Sequence, residues 1–206
     1  IIGLPRIDSG GIEYDGRNMA DMRMRDIRLL RREVGMLFQG SALFDSLTVM
    51  ENVMYPLEMF SSSTKKEMEN RAKFCLDRVN LPEHSYHLFP SEISGGMQKR
   101  VAIARAISLN PKYLFCDEPN SGLDPKTSII IDKLIFEITH EFNITTIVNS
   151  HDMNSVIEIG ENIIFINNGL MAWSGTNKDI YGAKNEDLND FVFASELYKQ
   201  VKMIYQ

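Results

Sequence analysis

The sequence predicts an α/β fold built on a parallel sheet, and three observations carry that prediction. After Pro111, short apolar runs alternate with a helix-length segment: "YLFCD", then a helical pattern over 126–141, then "TTIVNS". Strands that alternate with helices in this way lie parallel and are expected to be buried on both faces. A further apolar run, "VGMLF" at 34–38, stands apart from these strands across a long stretch of helical period. Near the end, "NIIFINNGLMAWSG" places Asn168-Gly169 between two apolar runs, which reads as a hairpin beside the main sheet.

Composition sets the outer limits. The chain has 206 residues, 44% of them hydrophobic, enough for one cored domain over 1–206. A formal net charge of -6 argues against a protein that wraps nucleic acid through a broadly basic surface. Cys75 and Cys116 fit neither a metal-ligand spacing nor a disulfide framework and read as buried thiols. No apolar run approaches the roughly 20 residues needed to span a bilayer, and the start lacks the features of a signal peptide. A membrane role is therefore expected to come through a partner.

Taken in order, "IIGLPRIDSGG" reads as a helix end and a turn, followed by a short strand at 11–14 and a turn at Asp15-Gly16. The strand at 34–38 ends at Gln39. From about 41 to 109 the pattern is helical. Thr48 with Glu51, and Thr64 with Glu67, are spaced as capping boxes that open two helices. Met68, Ala72, Cys75, Leu76 and Val79 form the apolar face of the second. Turns at Pro82 and Pro90 lead to "SEISGGMQKRVAIARAI", a helix headed by two glycines. Lys99, Arg100 and Arg105 read as its solvated face. The C-terminal segment, about 176–206, is expected to be a helical tail, with Leu188, Phe191, Tyr198, Val201 and Tyr205 near helical spacing.

Several positions carry chemistry. Glycine costs about 1 kcal/mol relative to alanine inside a helix, so Gly95 and Gly96 make sense at a terminus or where something approaches the backbone closely. A bare helix N-terminus suits an anion such as phosphate. Asp117 and Glu118 close an apolar strand, where burial without a partner would cost several kcal/mol. A Mg²⁺ ion would satisfy Asp117, and Glu118 could take a proton from an attacking water. Gln39 could present its amide to the metal or the water. His151, just past the "TTIVNS" strand, could donate to a terminal phosphate oxygen.

The order of these parts resembles the nucleotide-binding subunit of an ATP-binding-cassette (ABC) transporter over nearly the whole chain. The matching segments are the Q-loop at Gln39, the signature "SGGMQ" at 94–98, Walker B in "YLFCDE", the D-loop "SGLD" at 121–124 and the H-loop at His151. The resemblance implies a P-loop NTPase core with a helical subdomain and an antiparallel β element, and ATP with Mg²⁺ as ligands. It implies Glu118, His151 and Gln39 in catalysis, Asp117 and Gln39 at the metal, and Ser94, Gly95, Gly96, Gln98 and Asp124 at the nucleotide. It further implies a second ATPase subunit, with the signature of one serving the ATP of the other, and an integral membrane permease at the cytoplasmic face of the bacterial inner membrane.

A narrower resemblance lies in "LFQGSALFDSLTVMENVMYPL" and "FPSEISGGM", which are similar to ATPases of the Mla/MCE phospholipid-trafficking systems. It implies lipid transport, an MCE-type substrate-binding protein and a small regulatory subunit that the tail could dock. A soluble ABC ATPase acting on nucleic acid and a non-catalytic regulatory module stand as alternatives. No G-x-x-x-x-G-K-[ST] loop occurs in the sequence. The chain reads as starting just inside the helix that follows such a loop, without the strand that leads into it. As it stands it is expected to bind ATP poorly and to be inactive.

Overall fold

Asp15 and Gly16 both adopt left-handed backbone conformations, with φ of 49° and 72°. The turn they make joins β1 (Glu13–Tyr14) to an antiparallel partner, β2 (Arg17–Asn18). The computed structural model describes Ile2 and residues 7–193. Helix α1 (Met24–Arg32) follows, an element that the sequence reading passes over. Only Leu30 of this short, arginine-rich helix is buried, with Ile27 partly buried beside it.

The sheet forms as expected. Strands β3 (Val34–Leu37), β4 (Tyr113–Asp117) and β5 (Thr145–Asn149) run parallel in the order β3-β4-β5. The register pairs Leu37 with Cys116 and Asp117 with Asn149. Burial on both faces holds only for β4, where Leu114, Phe115 and Cys116 are all buried. Along β5, Thr145, Ile147 and Asn149, which share one face of the strand, are exposed, so that face is uncovered among the described residues.

Both capping boxes are present. Thr48 opens α2 (Val49–Phe60) and Thr64 opens α3 (Lys65–Arg78), each Thr accepting from the backbone of the Glu three residues on. Ala72, Cys75 and Leu76 are buried on the expected face of α3, and Val79 at its end is 1% exposed. Short 3-10 turns at Glu83–Ser85 and Pro90–Glu92 carry the chain to α4 (Gly95–Ile107). Arg71 of α3 donates to the carbonyls of Ile107 and Ser108, both at 2.9 Å, which satisfies the C-terminal end of α4.

Helix α4 lies directly on the sheet. A Cβ added at Gly35 of β3 would sit 2.5 Å from the Ala106 carbonyl oxygen, so no larger residue fits between strand and helix. Helix α5 (Pro125–Glu141) completes the principal core, to which it contributes Ile131, Leu134, Ile135 and Ile138. The two cysteines are free and buried, as expected.

The chain divides into two compact units, 1–149 and 150–206. The second holds α6 (Met153–Ile159), also unforeseen, and an antiparallel pair, β6 (Ile163–Asn167) and β7 (Leu170–Gly175). Asn168 and Gly169 make the expected turn, with φ of 51° and 76°. Helix α7 (Glu186–Val192) lies within the segment expected to be a helical tail, and Leu188 and Val192 pack with Ile180 and Phe193. Phe191 is exposed and stacks on Phe165, with ring centroids 5.6 Å apart. Tyr198, Val201 and Tyr205 lie outside the described residues. No described helix is long and apolar enough to cross a membrane.

Candidate functional site

The sheet brings Gln39, Asp117 and Glu118 to one end of the first unit. Since Leu37 pairs with Cys116, the end of β3 delivers Gln39 beside the strand that ends in Asp117. Asn149, at the tip of β5, holds both carboxylate residues. Its side-chain amide donates to Asp117 Oδ1 at 2.8 Å, and its backbone carbonyl accepts the Glu118 N–H at 2.9 Å. Glu118 has a left-handed backbone, with φ of 45°, a conformation that costs a non-glycine residue of order 1 kcal/mol. The bond to Asn149, together with the bond from Ser121 N–H to the Glu118 carbonyl at 3.1 Å, holds it there.

Gln39 Nε2 donates to Ser121 Oγ at 3.2 Å, joining the end of β3 to the loop after β4. This leaves the Gln39 amide oxygen available to a cation. Among the described residues no three His, Cys, Asp or Glu side chains cluster as a metal cage. One carboxylate and one amide oxygen suit Mg²⁺, which usually takes one or two protein ligands and fills its octahedron with water and phosphate oxygens.

Asp124 caps α5. Its carboxylate accepts from the N–H groups of Lys126 and Thr127, both at 3.1 Å, and from the Thr127 hydroxyl. The Thr127 hydroxyl foremost, with its N–H, holds the Asp124 carboxyl below the usual range.

Ser94 caps α4 by accepting the Met97 N–H at 3.3 Å, which leaves the hydroxyl hydrogen as a donor and the Gly95 and Gly96 N–H groups at the open end. The two glycines differ in what they permit. A Cβ at Gly95 would meet nothing within 4 Å, whereas one at Gly96 would lie 2.8 Å from Thr127 Cγ2. Gly96 thus lets α4 start close to α5, and Gly95 keeps the helix end bare. The Gln98 amide is committed to the chain itself, donating to the Pro90 carbonyl at 2.8 Å and to that of Ile93 at 3.5 Å.

The basic residues of α4 are not a solvated face. Lys99 is 4% exposed, and its ammonium donates to the Gln39 carbonyl. Burial pushes its pKa down, while the nearby Cys116 thiol, Asp117 and Glu118 oppose that shift. Arg105 donates to the carbonyls of Ser41 and Ala42, both at 2.7 Å. Those two residues have φ of 62° and 47°, so α4 grips a backbone segment that is itself left-handed. Arg100 donates to the Asn80 carbonyl at 3.3 Å. These clamps join residues 20 to 64 apart in sequence, so no local pattern announces them.

His151 belongs to the second unit. It is exposed, in a turn closed by the Asp152 N–H donating to Ser150 Oγ at 3.0 Å, just ahead of the Asp152 cap of α6.

With this geometry in place, comparison with known proteins is decisive. The family described as ABC transporter matches residues 1–121. The chain belongs to the ABC transporter family. Methionine import ATP-binding proteins MetN of Carboxydothermus hydrogenoformans and of Haemophilus influenzae are each 38% identical to this ABC chain, over 88% and 92% of its length. The alignments cover 53% and 54% of those relatives, so the chain spans about half their length. The phosphonates import ATP-binding protein PhnC 2 of Oceanobacillus iheyensis is 36% identical over 90% of this chain and 75% of its own. Among solved structures, the dimeric bacterial ABC transporter cassette MJ0796 superposes with a TM-score of 0.76 at 32% identity, covering 84% of this chain and 76% of that one. The cbiO1 protein of Clostridium perfringens, part of the cbiONQ complex, gives 0.81 at 28% identity, covering 98% and 79%. The fold is that of an ABC ATPase cassette.

The expected likeness to Mla/MCE ATPases, with its lipid cargo and MCE-type binding protein, is overturned by these relatives, which are named for methionine and phosphonate import. The structure explains the misreading. In "ALFDSLTVMEN", Asn52 is fully buried; it accepts the Phe44 N–H and donates to the carbonyls of Phe44, Leu47 and Thr48, all within 2.8–3.1 Å. The run that suggested a cargo maintains a turn.

Proposed function

We propose that this protein is the ATP-hydrolysing subunit of an ABC importer, with an amino acid such as methionine as cargo. The observation that carries the ATPase reading is the Asn149 clamp, which holds Asp117 and Glu118 side by side beside Gln39. The cargo reading follows the names of the MetN relatives.

Hydrolysis is an in-line attack of water on the γ-phosphate of ATP. Glu118 accepts the proton of that water as general base, its direction set by the left-handed backbone. Asp117 and the Gln39 amide oxygen would hold Mg²⁺, which when bound neutralises charge on the phosphates. His151 donates to the γ-phosphate. Ser94, Gly95 and Gly96 serve the ATP of a second subunit through one hydroxyl and two N–H groups. Gln98 acts behind them by bracing the turn before α4, and Asp124 holds the start of α5 at the seam between subunits.

The protein is assigned to the cytoplasmic face of the membrane as a peripheral partner of a permease. A groove of about 440 Å³, whose walls include Phe38, Ala42, Phe44, Tyr55 and Phe60, suits an apolar segment of that permease. Arg105 also lines it, so a body seated there would bear on the same loop that α4 grips. The 206 residues contain no G-x-x-x-x-G-K-[ST] segment. Turnover requires the phosphate cradle that such a segment supplies.

The test is Glu118→Gln in the full-length protein with its permease. ATP turnover should fall by roughly 10²–10⁴, the usual contribution of a general base, while ATP-driven pairing of subunits survives. Undiminished turnover would refute the assignment of the base. Uptake of labelled methionine that persists in cells lacking the protein would refute the cargo.

A further inference from the structure

The surface of α1 stands out in a chain of net charge -6. Residues 23–32 hold five arginines and one acid, Asp26. Asp26 pairs with Arg23 at 3.4 Å. Arg25, Arg28, Arg31 and Arg32 are all exposed and have no ion-pair partner among the described residues. Arg25, Arg28 and Arg32 recur at helical spacing, and Leu29 lies on the same face. Ile27 and Leu30, on the opposite side, line a separate apolar cavity with Tyr14 and Val34. The arginine face is therefore not needed to hold the helix to its own domain.

Apolar groups stand among these cations. Met24 is 72% exposed, Leu29 46% and Met59, from the end of α2, 56%. Together with Arg25, Arg28 and Arg32 they line one open depression of about 460 Å³. We infer that this face docks on a bilayer surface rich in anionic phospholipid, the guanidinium groups meeting lipid phosphates while Met24, Leu29 and Met59 enter the headgroup layer. Three unpaired arginines on one face of an otherwise acidic protein, Arg25, Arg28 and Arg32, are complementary to a negative surface, and each guanidinium can bind phosphate through two parallel N–H bonds. Single apolar side chains between cationic heads are what a headgroup layer accommodates. An acidic protein segment is the competing occupant, and the test separates the two. The inference is independent of the ATP chemistry.

The experiment is co-sedimentation of the purified protein with vesicles of phosphatidylcholine alone and of phosphatidylcholine mixed with phosphatidylglycerol. The protein should bind only the mixed vesicles, and rising salt should release it. Arg25→Gln/Arg28→Gln/Arg32→Gln should partition roughly a hundredfold more weakly, about fivefold per arginine. Glutamine has similar helix propensity, so circular dichroism should be unchanged. Lys65→Gln/Lys66→Gln/Lys133→Gln, with the same change in net charge elsewhere on the exposed surface, should bind like the parent. Equal weakening of both variants, or binding to neutral vesicles as strong as to anionic ones, would overturn the inference. So would a protein that ignores both vesicles while the arginine variant fails to copurify with the permease, since the occupant would then be an acidic protein segment.

Discussion

Replacing Gly96 by alanine should destabilise the protein, although alanine is the better helix former by up to about 1 kcal/mol. The new methyl would lie 2.8 Å from Thr127 Cγ2, against about 3.5–4.0 Å for an ordinary carbon contact. Thr127 cannot turn away cheaply. It is β-branched, and its hydroxyl is bonded to the Asp124 carboxylate that caps α5. Overpacking of this kind costs about 1–3 kcal/mol, so the net loss for Gly96→Ala should be about 1 kcal/mol. Gly95→Ala, which meets open space, should leave stability unchanged or slightly raised. Thr127→Ser removes the offending methyl and keeps the hydroxyl bond to Asp124. In that background Gly96→Ala should cease to destabilise, giving a coupling of about 1–2 kcal/mol in a double-mutant cycle. Urea unfolding followed by far-ultraviolet circular dichroism measures the parent and all four variants. Equal stability of the Gly95→Ala and Gly96→Ala proteins, or a cycle without coupling, would refute the claim that close helix approach explains the second glycine.

Two further outcomes follow from the clamps and the thiols. Arg105→Met removes both donors to the Ser41 and Ala42 carbonyls. It should cost about 3–6 kcal/mol, from two hydrogen bonds to a charged group at about 1.5–3 kcal/mol each, and hydrogen exchange should speed up in residues 39–44 if the clamp holds that loop. Burial pushes the Cys75 thiol up to about 11 and Cys116 up to about 12. In the unfolded chain each thiol ionises near its ordinary value of 9.0, so the folded state retains protons that the unfolded state has lost. Stability should therefore be intact below pH 9 and decline as pH rises from there toward the folded values, by about 1.4 kcal/mol per pH unit per thiol. A Cys75→Ala/Cys116→Ala protein whose unfolding midpoint falls just as steeply with pH would count against this account.

What could be read from the sequence divides along physical lines. Short-range signals were reliable: the Thr48 and Thr64 capping boxes, the Asn168-Gly169 turn and the strand "YLFCD" stand where local geometry places them. The carboxylate pair at the end of β4 was legible because charge closing an apolar strand has few explanations in packing. Helix α1, where Ile27 and Leu30 oppose Arg25, Arg28 and Arg32, was overlooked because its nine residues make only about two and a half turns, and α6 because it has seven residues. Lys99 and Arg105 were misjudged for a different reason. Their partners are backbone carbonyls 60 or more residues away, and carbonyls carry no sequence signature. The cargo was misread where residues that serve a buried asparagine were taken for a mark of substrate.

The grip of Asn149 on its two neighbours uses chemically unequal hands. The bond to Asp117 comes from a side chain, whereas the bond from Glu118 goes to a main-chain carbonyl that every residue possesses. Mutation at this one position can therefore loosen the Asp117 carboxylate and leave the anchorage of the Glu118 backbone in place. On the roles proposed above, two duties that stand next to each other in the chain are separately heritable: drift at position 149 would retune the hold on a divalent ion without moving the backbone of the proposed base.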